Sequence, residues 1–222
     1  MTKYQMQQFI KVPVKVPLEQ LRQDLNWISN NSSCSKEIFN GRGCQILDLT
    51  YIADPLKKLR ATPFVGTPTE RALPNYLTSL KTTNTVQRLQ VGRQTNPYSD
   101  DRNHNRVKEA FKDLPTIHWL QNLGDVSKIT IATLRPNSWW PSHYDFSCRH
   151  ASKANIPIFT NPEAVSLSWN PREKLLKEVH MKSGEFWFIN PSFKHTAFNW
   201  GKESRSYLLV TFRKPMKHLD FL

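Results

Sequence analysis

Beyond Gly124 the chain breaks into short strand-like segments separated by turns, with no helical period between them. Residues 128–134, 155–159, 164–169, 178–181, 185–189, 195–198 and 206–212 are each rich in β-branched or aromatic residues. Pro136-Asn137-Ser138 and Lys182-Ser183-Gly184 are turn signals between them. Strands at this spacing, unrelieved by helices, predict an antiparallel sandwich or barrel.

The first 125 residues are of another kind. Residues 9–16 alternate and read as an edge strand, since Pro13 is unsuited to a central one. After Pro17, the residues Leu18, Leu21, Leu25 and Ile28 recur at helical spacing, up to the break at residues 30–33. Residues 43–50 read as the next strand. From 61 to 101 the composition turns to Pro, Thr, Asn, Ser and Arg without a sustained period. Such an excursion is either a substrate-recognition segment or a plain surface insertion. Residues 107–123 return to helix, with Leu114, Ile117, Leu120 and Leu123 on one face and Gly124 as the stop. Helices segregated at one end of a mainly β chain give a jelly roll, or double-stranded β-helix, cupin-like and braced on one side by helices. Residues 1–222 read as a single domain: 1–125 as support, 126–213 as the jelly-roll core and 214–222 as a basic tail.

Composition is ordinary for a globular domain, with 38% hydrophobic residues. No apolar run approaches membrane-spanning length, and the first residues lack the apolar stretch of a secretory signal. Cys34, Cys44 and Cys148 are odd in number and at no metal-ligand spacing, so free thiols in a reducing cytoplasm are expected ahead of disulfides. The net charge of +13 suits an acidic partner, but Lys and Arg are scattered along the chain and no nucleic-acid-binding signature accompanies them. A solvated basic surface is the plainer account. An anionic substrate or an acidic peptide comes next, and nucleic acid is disfavoured.

The chemistry sits in His143-Tyr144-Asp145, a later His195 and then Arg205. Two imidazoles and a carboxylate can occupy one face of an octahedral metal and leave three positions open, as in the facial triad of non-heme Fe(II) oxygenases. His143 and Asp145 are two apart and face the same way in extended backbone. Arg205 opens the last strand and shares a face with Tyr207, Leu209 and Thr211. If that face points inward the guanidinium needs an anion, because a buried unpaired cation is costly. A 2-oxo acid carboxylate suits its planar fork. Singly, each residue has an ordinary reading as a loop histidine, a core histidine or an exposed arginine. The joint order at strand ends favours the metal. His104, His118, His150, His180 and His218 lack partners at ligand spacing, with His150 kept as a reserve pocket residue. Trp140 is the aromatic best placed to line a pocket. Asn199 has either an orienting role or a turn role beside Gly201.

Five stretches carry a wider likeness: Leu134-Arg135-Pro136-Asn137, Pro141-Ser142-His143-Tyr144-Asp145, Asn155-Ile156-Pro157-Ile158, Gly184-Glu185-Phe186-Trp187-Phe188-Ile189-Asn190, and His195-Thr196-Ala197-Phe198-Asn199 followed by Arg205. In these the chain resembles the aspartyl/asparaginyl β-hydroxylase family of Fe(II)/2-oxoglutarate oxygenases. It is most similar to small bacterial members that act on amino acids, such as the proline cis-4-hydroxylases. The resemblance covers the C-terminal half well and the first 125 residues weakly. It implies iron on His143, Asp145 and His195, the distal carboxylate of 2-oxoglutarate on Arg205, and O2 as the other co-substrate. Lys153 and Asn155 stand where many members carry Arg and His, at positions that contact the 2-oxo acid or the substrate. Ala132 stands where some members use a serine for the co-substrate, and Thr130, on the same face, is the candidate replacement. The presence of Asp145 argues for hydroxylation over halogenation. The implied activity is hydroxylation of an unactivated C–H bond of an amino acid, free or in a peptide, with succinate and CO2 as co-products. The other class left open is a cupin-type metal-dependent isomerase or small-molecule binding protein without 2-oxoglutarate turnover.

Overall fold

The computed structural model describes residues 7–31, 38–40, 44–51, 93–94, 104–145, 148 and 151–214. Its first part holds β1 (Phe9–Val12), α1 (Leu18–Asn30), β2 (Ile38–Asn40), β3 (Cys44–Asp48), β4 (Thr50–Tyr51), β5 (Arg93–Gln94), β6 (Arg106–Val107) and α2 (Pro115–Leu123). The second part is strands alone: β7 (Val126–Leu134), β8 (Ser138–Tyr144), β9 (Ser152–Phe159), β10 (Ala164–Asn170), β11 (Leu175–Val179), β12 (Phe186–Ile189), β13 (Lys194–Asn199) and β14 (Arg205–Phe212).

Two main sheets result. The larger runs β1-β12-β9-β14-β7-β3-β2 and the smaller β11-β10-β13-β8-β5, with β4 and β6 as a separate ribbon. Pairing within them is antiparallel, except that β5 runs parallel to β8. This is the expected jelly roll. Side chains alternate across a strand, so the large sheet has two faces. Ile129, Ile131, Ala154, Ile156, Phe188, Leu208, Val210 and Phe212 pack with Leu21 and Ile28 of α1 and Ile117 and Leu120 of α2 in one continuous core. The helices brace the sheet on that side. Across the other face, Arg205 sits opposite Leu134, Tyr207 opposite Ala132, Leu209 between Thr130 and Asn155, and Thr211 opposite Lys153. That face looks toward the small sheet.

Several local expectations change. The strand read over 9–16 stops at Val12, just before Pro13, and is an edge of the large sheet as expected. The helix read over 107–123 is shorter. It gives way to β6, a 3₁₀ turn at Glu109–Phe111 and then α2. Pro115 disfavours helical backbone at Leu114, which is extended at φ −68° and ψ 130°. In the first turn of α2, Pro115 itself removes no intrahelical bond. The strand β8 was not read as one, because Trp139-Trp140-Pro141 does not alternate. Asn137 adopts φ 54° in the turn before it, a left-handed conformation that Asn tolerates. Of the excursion 61–101, only the two residues of β5 lie among the described residues, and residues 215–222 of the expected tail lie outside them. Cys148 is a free, buried thiol. Among the described residues no helix is long and apolar enough to cross a membrane.

Candidate metal centre

His143 on β8 and His195 on β13 are register partners, which puts both imidazoles on the inner face of the small sheet. Their ring centroids are 4.3 Å apart. Asp145 follows β8 directly, and its N–H donates to the Pro191 carbonyl at 3.1 Å, which aims the carboxylate back at the histidines. His143 Nε2 lies 3.4 Å from Asp145 Oδ1, and His195 Nε2 lies 3.4 Å from Oδ2. One ligand atom from each residue falls within 4.8 Å of the others. Atoms held at about 2.1 Å around an octahedral ion stand about 3 Å apart at right angles, so the cluster fits an ion after small adjustments. His195 Nδ1 is 2.9 Å from the Phe193 carbonyl. That bond fixes Nδ1 as the protonated nitrogen and leaves the Nε2 lone pair for a metal.

The electrostatics match that use. Burial alone would raise the Asp145 carboxyl, but Lys153 and His143 outweigh it and hold it well below the usual range. Lys153 Nζ donates to Asp145 Oδ2 at 2.6 Å, so the buried carboxylate stays an anion. Burial, then His143, pushes the His195 imidazole down against the opposing pull of Asp145. The shift favours the neutral imidazole, the form that a metal ligand needs.

Arg205 is 1% exposed. Its Nη1 donates to the Val165 carbonyl at 3.1 Å and its Nη2 to Ser166 Oγ at 2.9 Å, across the cleft on β10. The guanidinium carbon sits 4.3 Å from the Tyr207 ring centroid. Nε has no partner, and among the described residues no carboxylate pairs with this side chain. Burial pulls its pKa down, yet an arginine remains protonated. A buried guanidinium without an anion is costly, and a bound anion would relieve that cost.

The remaining expected residues divide. Asn155 is buried on the same inner face, and its Oδ1 lacks a partner. Lys153 is also buried there, paired with Asp145 of the His-Asp-His cluster. Thr130 shares the face, but its hydroxyl donates to Asp48 Oδ1 at 2.6 Å. Trp140 packs edge-on to His143 at 6.2 Å and lines the cleft. Asn199 takes the turn role. Its Nδ2 donates to the Leu134, Arg135 and Glu203 carbonyls, and its Oδ1 accepts from Gly201 N–H. A Cβ at Gly201 would run into the Asn161 amide and force that side chain to shift. His104 bonds Thr50, His180 bonds Glu178, and neither joins the cluster. His150 lies outside the described residues. Ser166 was missed. Its signal was a polar residue repeating at every second position within Ala164-Val165-Ser166-Leu167-Ser168-Trp169, an otherwise apolar strand.

The jelly roll thus carries an inward His-Asp-His cluster that could hold a metal ion, and a buried arginine that could take an anion. Residues 81–215 match the family model described as aspartyl/asparaginyl β-hydroxylase, more than half of the chain, and the protein belongs to that family. Among solved structures, an oxidoreductase of the 2OG-Fe(II) oxygenase family from Burkholderia pseudomallei is 10% identical, at a TM-score of 0.49 over 94% of this chain and 85% of its own. A prolyl-4-hydroxylase from Pseudomonas putida is 13% identical, at 0.48 over 93% and 92%. Peruvianin-I, a cysteine peptidase from Thevetia peruviana latex, is 17% identical, at 0.32 over 40% of this chain, which spans only 52% of that one. At such scores the likenesses carry no argument, and membership rests on the family match. No curated protein matches the sequence.

Proposed function

We propose that this protein is an Fe(II)- and 2-oxoglutarate-dependent dioxygenase that hydroxylates an unactivated C–H bond of an amino acid, free or within a peptide, and releases succinate and CO2. The observation that carries this reading is Arg205, a buried cation with an unpartnered Nε in the same cleft as a His-Asp-His cluster. His143, Asp145 and His195 hold the iron. Arg205 takes the distal carboxylate of 2-oxoglutarate, and Asn155 offers a further polar contact on the same face. Lys153 keeps Asp145 ionised and oriented. Thr130 has only an acceptor lone pair left to offer.

Bound iron supplies the redox chemistry with O2 that no side chain can. The chain's own part is to position and to exclude water. Trp140, Tyr207 and Leu209 give the cleft apolar walls, packed with Ala132, Leu134 and Ala197. Low polarity there strengthens the Arg205–carboxylate contact. In this reading residues 1–222 act as one oxygenase domain in the cytoplasm. The partner is a small molecule or peptide; the charge of +13 suits an acidic one, and no nucleic-acid-binding signature accompanies it.

The test is succinate release from 2-oxoglutarate in air, with and without Fe(II), across a panel of free amino acids and short acidic peptides. Iron-dependent succinate that rises with one class of substrate is expected. Full iron loading with no succinate on any substrate would favour the cupin-type alternative.

A further inference from the structure

Strand β10 presents a second hydroxyl to the cleft. Ser168 is the register partner of His195, and Ser166 that of Ala197, so both serines lie on the face that carries the metal ligands. Ser166 receives the Arg205 guanidinium. Ser168 is 2% exposed, and its Oγ has no hydrogen-bond partner. Its backbone is otherwise well held, since its carbonyl accepts from Gln8 Nε2. A buried hydroxyl left unbonded costs free energy and has no account in the fold itself. Arg205 Nε and Asn155 Oδ1 are also unpartnered on the cleft faces, so three of the buried polar atoms without a hydrogen bond face one space.

The direction of β10 says what fills that space at Ser168. Going from Ser166 to Ser168 is going from the Arg205 end of the cleft to the His195 end. Two residues of strand advance by about 6.7 Å. An extended five-carbon dicarboxylate, held by Arg205 at one end and by the metal at the other, must run along this stretch. We infer that Ser168 is a co-substrate-binding residue, whose hydroxyl donates a hydrogen bond to the 2-oxoglutarate carboxylate at the metal end. This rests on the reading of the cleft as a 2-oxoglutarate site. It adds a strand, β10, to those that hold the co-substrate.

The experiment is calorimetric titration of 2-oxoglutarate into the full chain loaded with Mn(II) under anaerobic conditions, beside thermal melts of the metal-free protein. Wild type should bind. Ser168→Ala should bind about tenfold more weakly, as one lost hydrogen bond to a charged group predicts. Its metal-free melting temperature should not fall, because the hydroxyl makes no bond in the fold. Ser168→Cys, near in size but a weak donor, should show the same loss and guards against misfolding of the alanine variant. Equal affinity in wild type and both variants overturns the inference while leaving the 2-oxoglutarate reading intact. A metal-free melt lowered in both variants overturns it in favour of a structural hydroxyl. Failure of Mn(II)-loaded wild type to bind 2-oxoglutarate overturns the reading of the cleft, and the inference with it.

Discussion

Alternate residues of β9 and β14 occupy two different environments at the same depth. Ala154, Ile156, Leu208, Val210 and Phe212 face the helices, are at most 1% exposed, and are wholly apolar. Lys153, Asn155, Arg205 and Thr211 face the small sheet beside Tyr207 and Leu209, are at most 8% exposed, and bring polar groups into the cleft. Burial does not distinguish these two sets; polarity does. The apolar set asks for no hydrogen bonds, whereas Asn155 Oδ1 and Arg205 Nε on the cleft face are left without partners. Folding favours the first arrangement, and a ligand that bonded those atoms would offset the cost of the second. Substitutions on the helix face should therefore act on stability, and those around the cleft on binding and turnover.

The largest expected effect is on turnover. His143→Ala or His195→Ala removes an imidazole ligand and should reduce iron-dependent succinate release to background while the circular dichroism spectrum stays that of the wild type. His104→Ala, at a histidine bonded to Thr50 and outside the cluster, should leave turnover near normal. Wild-type activity in either ligand variant would break the distinction between the faces.

Next in size is the helix face. Phe212→Ala empties a fully buried site and should destabilise the protein by about 3–5 kcal/mol in a denaturant titration. Turnover per folded molecule should not change. A loss of activity without a loss of stability would place this face in the chemistry after all.

Arg205→Lys is expected to raise the KM for 2-oxoglutarate about tenfold or more, because a point ammonium cannot reproduce the paired bonds of the guanidinium fork. Thermal melting should move little by comparison. Initial-rate kinetics and a melt on the same preparation decide between a binding role and a packing role.

The smallest effect belongs to Arg213→Lys. In the structure Arg213 is pinned to Asp125, the Val126 carbonyl and the His104 carbonyl. Its replacement should cost on the order of 1 kcal/mol or less and leave the KM for 2-oxoglutarate unchanged. Equal KM shifts in the two arginine variants would make Arg205 an ordinary structural cation.

What could be read from the sequence follows the range of the interactions. His143 and Asp145 are two residues apart, so their shared direction needed only extended backbone. The alternation of residues 206–212 was enough to place Tyr207, Leu209 and Thr211 on one face with Arg205. The strand β8 was hidden because its two tryptophans and Pro141 obscure the period, although it carries His143. The helix before Gly124 was read too long because apolar spacing continues through Leu114, where Pro115 overrules it. The contacts of Lys153 with Asp145 and of Ser166 with Arg205 depend on how distant strands align. No local pattern specifies that register. The roles of Thr130 and Asn199 were open for the same reason, until Asp48 and the Asn161–Gly201 turn were seen beside them.

The central claim is that the cleft face binds one metal ion through His143, Asp145 and His195 in a fold that stands without it. The most direct measurement is the metal bound per chain after anaerobic equilibration with Fe(II) and removal of excess, in wild type, His195→Ala and Asp145→Ala, with circular dichroism on each sample. The account predicts one equivalent in wild type and a loss of most of it in both variants, with spectra that superimpose. One tightly held equivalent in all three proteins would contradict it.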